Sequence, residues 1–75
     1  MKLVYFAWLR VRIGCAEEEV ELPSGVQDVA GLLDWLQSRG GRYAEALQNL
    51  SVVRVAVNND YVGREHPLRD SDEVA

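Results

Sequence analysis

The chain has 75 residues, 48% hydrophobic and 27% charged, with twelve acids against eight bases and a net charge of −4. That length gives one small domain, and the composition is too apolar for a disordered chain. The acidic balance argues against a nucleic-acid partner, which rewards a basic face, and suits either a plainly soluble surface or a partner with a basic docking surface.

One cysteine, Cys15, allows no internal disulfide. No apolar run is long enough to span a bilayer, so no membrane association is expected. Met1 to Leu9 has the apolarity of a signal-peptide core, but Arg10 and Arg12 follow at once and no small-residue cleavage site appears. A cytoplasmic location is the simplest expectation.

Leu3 to Leu9 is rich in Val, Tyr, Phe, Trp and Leu and predicts a strand. Leu3, Tyr5 and Ala7 line one face, while Val4, Phe6 and Trp8 line the other. A strand apolar on both faces is covered on both, yet so small a domain has one core. Gly14 and Cys15 mark a turn. Glu17 to Leu22 then alternates, with Val20 and Leu22 opposite Glu19 and Glu21, as in a half-exposed edge strand. Pro23-Ser24-Gly25 breaks the chain.

Asp28 is a good helix N-cap, and Val29, Leu32, Leu33 and Leu36 form one helical stripe beside Trp35. Gly40-Gly41 ends that helix. Tyr43 to Leu47 predicts a turn or two of helix. Val53, Val55 and Val57 alternate with Arg54, Ala56 and Asn58 in a third strand, and Asn58-Asn59-Asp60 favours a tight turn. Tyr61-Val62 starts the return strand, and Glu73-Val74-Ala75 opens a fifth. Two strand pairs with a helix between them bury the helix stripe on one sheet face. The expected class is α+β: a β-grasp, ubiquitin-like fold with a mixed sheet packed on one main helix, the first and last strands parallel at its centre.

Catalytic chemistry finds little support. Cys15 and the only histidine, His66, lie far apart in sequence, and no metal-ligand spacing is present. Gly40-Gly41 lacks the preceding strand and following Lys-Ser or Lys-Thr of a phosphate loop. Glu17, Glu18, Glu19 and Glu21 read as a solvated edge. Asp70, Asp72 and Glu73 are either a polar turn entering a strand or an acidic patch able to pair with arginines of a docking partner. Phe6, Trp8 and Tyr61 are either covered by a loop or helix or form an exposed apolar face for a partner.

In order and spacing, Tyr5-Phe6-Ala7, Leu9-Arg10, Gly14, Gly25-Val26, Val29 to Leu36, Ala56-Val57-Asn58, Tyr61-Val62, His66-Pro67-Leu68 and Asp70 to Ala75 resemble the molybdopterin synthase small-subunit family of ubiquitin-like sulfur carriers. Ser71 stands where that family usually has glycine.

The resemblance implies a non-catalytic carrier in a heterotetrameric synthase, with no bound cofactor. An E1-like adenylating enzyme uses ATP to activate a terminal Gly-Gly. The resulting thiocarboxylate enters the synthase large subunit and gives sulfur to cyclic pyranopterin monophosphate during molybdenum cofactor biosynthesis. The expected partner contacts are Phe6, Trp8, Arg10, Tyr61, Asp72 and Glu73. The expectation is a single β-grasp domain over residues 1–75 without the Gly-Gly tail, which the 75 residues do not contain. Two alternatives stay open: a thiamine-pathway sulfur carrier, and a ubiquitin-like binding module without sulfur chemistry.

Overall fold

The structure, a computed structural model, describes residues 1–75. Five short strands make one sheet: β1 (Lys2–Val4), β2 (Glu17–Glu19), β3 (Val55–Val57), β4 (Asp60–Val62) and β5 (Glu73–Val74). Three helices, α1 (Ala7–Ile13), α2 (Val29–Ser38) and α3 (Gly41–Ala46), and a 3-10 turn at Leu50–Val52 complete the chain. The strand order is β2-β1-β5-β3-β4. β5 runs parallel to β1, with Leu3 opposite Val74, and antiparallel to β3, with Val57 opposite Val74. This is the expected α+β, β-grasp arrangement, with the first and last strands side by side at the sheet centre.

The helix signals act as read. The Asp28 carboxylate accepts from the Gly31 N–H at 2.8 Å, satisfying one of the free amides of the first turn. Val29, Leu32, Leu33 and Leu36 are all buried, in one cluster with Leu3, Tyr5, Val57 and Val74. Asn58 and Asn59 both take positive φ, 50° and 73°, closing the β3–β4 hairpin with the twist that flanking strands favour.

The first strand is shorter than expected. It ends at Val4, and Ala7 takes a φ of 51°, turning the chain out of the sheet. The apolar run continues as α1, with buried Ile13 one turn beyond half-buried Leu9. A run apolar at nearly every position satisfies strand and helix periods alike, so alternation alone could not separate them. Arg10 and Arg12 occupy the last turn of α1, where cations meet the negative helix end. Gly14 closes it at φ 94°, where a side chain would be strained and would strike the Arg42 guanidinium.

β2 is also shorter than the expected Glu17–Leu22. The Val20 N–H still bonds to the Met1 carbonyl at 2.9 Å, but the Leu22 N–H turns to the Asp70 carboxylate at 2.7 Å, and the chain leaves β1.

Glu18 corrects the reading of the acidic run as uniformly solvated. Its carboxylate accepts from the Tyr5 hydroxyl at 3.0 Å, the Tyr43 hydroxyl at 2.6 Å and Arg39 Nη1 at 2.7 Å. Arg39 in turn lies over the Tyr43 ring at 4.2 Å and the Trp35 ring at 5.2 Å. One carboxylate therefore ties together β1, β2, the end of α2 and α3. Burial disfavours its charge, but the donors Tyr43, Arg39 and Tyr5 outweigh that and hold Glu18 below its usual range. Burial, then the Glu18 charge, pushes the Tyr5 phenol up; at Tyr43 the bond to Glu18 is the main cause of a rise.

Two outcomes follow. Leu33→Ala should lower stability by about 2–5 kcal/mol, read from the denaturation midpoint, because it empties a core position. The Glu18 carboxyl is depressed on folding, so its stabilisation is fully present above the ordinary value of 4.5 and is lost as pH falls through the lower folded value. Thermal unfolding should show Glu18→Gln less stable than the wild type at neutral pH. That gap should narrow as pH drops below the ordinary value, and a gap indifferent to pH would remove Glu18 from the linkage.

Candidate functional site

Strand alternation divides the sheet into an inner face, packed on α2, and an outer face free of helices. Leu3, Val57 and Val74 point inward and are buried. On the outer face the register places Lys2 beside Glu19 and Glu73, Val4 beside Glu17, and Ala56 beside Tyr61. Lys2 Nζ lies 3.5 Å from Glu17 and 3.8 Å from Glu73, so one half of this face is charged and internally paired.

The other half is apolar. A groove of about 260 Å³ runs across it, lined by Val4, Phe6, Trp8, Val52, Tyr61 and Ala75, among others. Phe6 is 63% exposed, Trp8 42% and Tyr61 80%. Three large aromatics thus stand well into solvent around one depression. Ala75 sits in the groove because β5 pairing continues past Val74: Ala75 and Ala56 exchange both backbone hydrogen bonds, at 2.8 and 3.0 Å. The groove thus adjoins the carboxyl-terminal side of the central strand. Beneath it, between sheet and α2, lies a core cavity of about 50 Å³ bounded by Leu36, Val53, Val55, Val74 and Ala75.

The structure brings together Phe6, Trp8 and Tyr61, three of the six residues expected at a partner surface. They arrive by different routes: Phe6 as the extended residue capping α1, Trp8 from α1 itself, and Tyr61 from β4. Arg10 is exposed on α1 and does not line the groove. The Asp72 carboxylate accepts from Asn58 Nδ2 at 3.0 Å and the Arg69 N–H at 2.9 Å, which lowers its pKa. Glu73 lies in the paired, charged half of the face.

Sequence reading passed over Arg54, the one charged residue lining the groove. Its signal was present in the alternation of Val55 and Val57 with Arg54 and Ala56, both of which line the groove. No three His, Cys, Asp or Glu side chains gather as a metal site. His66 lies in a loop, its carbonyl accepting the Val29 N–H at 3.1 Å.

Residues 3–75 match the ThiS family. The chain belongs to that family. It is 32% identical to the molybdopterin synthase sulfur carrier subunit of Escherichia coli (strain K12) over 75 residues, all of this chain and 89% of that protein. The solved structure of a putative molybdopterin converting factor, subunit 1, from Pyrococcus furiosus matches with a TM-score of 0.74 and 30% identity. That match covers 97% of this chain and 88% of the other. The ubiquitin-like fold and the resemblance to molybdopterin synthase small subunits both stand on these likenesses.

Because Phe6 and Tyr61 contribute little to the core, Phe6→Ser and Tyr61→Ser should each change stability by no more than about 0.5 kcal/mol. A clear fall in the thermal midpoint of either variant would place that ring in the core.

Proposed function

We propose that this chain is the sulfur-carrier small subunit of molybdopterin synthase, acting in the cytoplasm with the synthase large subunit and an E1-like adenylating enzyme as its partners. The observation that carries the reading is the placement of Ala75, at the end of the central strand, inside an exposed apolar groove. A partner that covers Phe6, Trp8 and Tyr61 necessarily receives whatever chain follows β5. Arg10, Asp72 and Glu73 belong to the rim of the same proposed contact.

The chemistry needs a terminal glycine carboxylate on a segment following β5. A carboxylate is a poor electrophile, and adenylation by ATP supplies a leaving group. Sulfur then displaces AMP to give a thiocarboxylate, which donates sulfur to cyclic pyranopterin monophosphate. Residues without Cβ atoms suit a tail that threads a narrow tunnel. Alternation along β5 turns Val74 inward and Ala75 outward, so a residue continuing that strand points at the core cavity, which suits an apolar side chain. No bound cofactor is required of this chain. The two named relatives favour the molybdopterin pathway over the thiamine pathway.

Binding to molybdopterin synthase large subunit, measured by calorimetry, should be lost in Phe6→Asp while the circular dichroism spectrum stays native. Undiminished binding would sink the groove as the docking surface. Extending the chain by a short apolar stretch ending in Gly-Gly should allow activating enzyme, ATP and a sulfur source to add the mass of sulfur for oxygen. A sulfur adduct at Cys15 instead would make the thiol the carrier.

A further inference from the structure

We infer that Asn58, with Asp72, is the positioning device that sets the register of β5 and so places Ala75 in the groove. Asn58 is the first residue of the β3–β4 turn and takes a φ of 50°. Its amide reaches across to the start of β5 and uses both ends. Nδ2 donates to Asp72 Oδ1 at 3.0 Å, and Oδ1 accepts from the Glu73 N–H at 3.1 Å. The backbone adds a third bond, Asn58 N–H to the Glu73 carbonyl at 2.8 Å. Asp72 is itself fixed by the Arg69 N–H at 2.9 Å, and its carbonyl accepts from the Lys2 N–H at 3.1 Å. The residue before β5 is therefore held from β1 on one side and from the β3–β4 turn on the other.

This matters because the clamp sits where β5 begins to pair with both β1 and β3. At that start Val74 is the buried side chain and Glu73 faces outward, so the register there decides which of the two enters the core. A slip of one residue would carry Val74 out of the core and Glu73 into it, and would move Ala75 out of the groove. Side-chain bonds at the fixed end of the strand remove that freedom before the chain reaches its partner. Asn suits the position because it tolerates the left-handed backbone and offers a donor and an acceptor on one rigid plane. The functional consequence rests on the sulfur-carrier reading; the clamp itself does not.

The test separates the two. Hydrogen exchange on the 75-residue chain reads the Ala56 and Ala75 amides, just beyond the clamp, against Leu36 in α2 as reference. Asn58→Gly keeps the positive φ and removes the amide; Asn58→Asp sets two carboxylates against each other. Both should speed exchange at Ala56 and Ala75 about tenfold relative to Leu36. Combining Asn58→Asp with Asp72→Asn exchanges donor and acceptor while keeping every bond, and should restore protection.

Exchange that rises equally at Leu36, that does not rise, or that the double exchange fails to restore, overturns the clamp. Affinity for the synthase large subunit should fall in both Asn58→Gly and Asn58→Asp. Unchanged affinity with raised exchange would overturn the positioning role. If the wild-type chain itself does not bind, the carrier reading fails while the exchange measurement still decides the clamp.

Discussion

The parallel pairing of β1 with β5 is the constraint on which the rest of the molecule depends. It joins the two ends of the sequence at the centre of the sheet, so β2 and the β3–β4 hairpin become flanks of one surface. Closing so long a loop is affordable because its entropy cost grows slowly, about 0.6 kcal/mol for each doubling of length. Burying a side chain such as Leu3 or Val74 yields about 1.5–3 kcal/mol, and both are almost fully covered where the strands meet. The same pairing decides where the chain end lies. Any segment following Ala75 leaves from the middle of the sheet rather than from a frayed edge.

The two faces of that sheet divide the work. The inner face carries the stability, through the α2 stripe and the Glu18 network that links β2 to α3. The outer face holds an apolar half next to a charged half whose ions pair among themselves. Pairing Lys2 with Glu17 and Glu73 keeps that half from competing for an apolar partner, and such exposed pairs add little stability. The residues that fix the fold and the exposed aromatics of the groove are thus largely different.

Much of the architecture was legible locally. The spacing from Val29 to Leu36, the Asp28 cap and the Asn58-Asn59 turn each depend on neighbours within a few residues, and each formed as read. The exposure of Phe6, Trp8 and Tyr61 was also anticipated, from a surplus of apolar side chains over what one small core can cover. The route was different, however. Phe6 and Trp8 reach the groove from the start of α1, because a run apolar at nearly every position carries no period that separates strand from helix.

What the sequence by itself determined was the five strands, the long helix with its sidedness, the short helix after it and the family, but not α1. These rest on spacing, caps and turn residues, which act over short distances along the chain. Tertiary structure alone decided the fate of Glu18, identical in sequence terms to Glu17 and Glu19, because its donors Tyr5, Arg39 and Tyr43 all lie well away from it along the chain. It also decided that Asp72 is bonded to Asn58 at the start of β5, and that Ala75 lines one groove with Tyr61 and Phe6. Each of these is a meeting of residues far apart in the chain. Such meetings depend on the register and twist of a finished sheet, which short-range spacing does not encode.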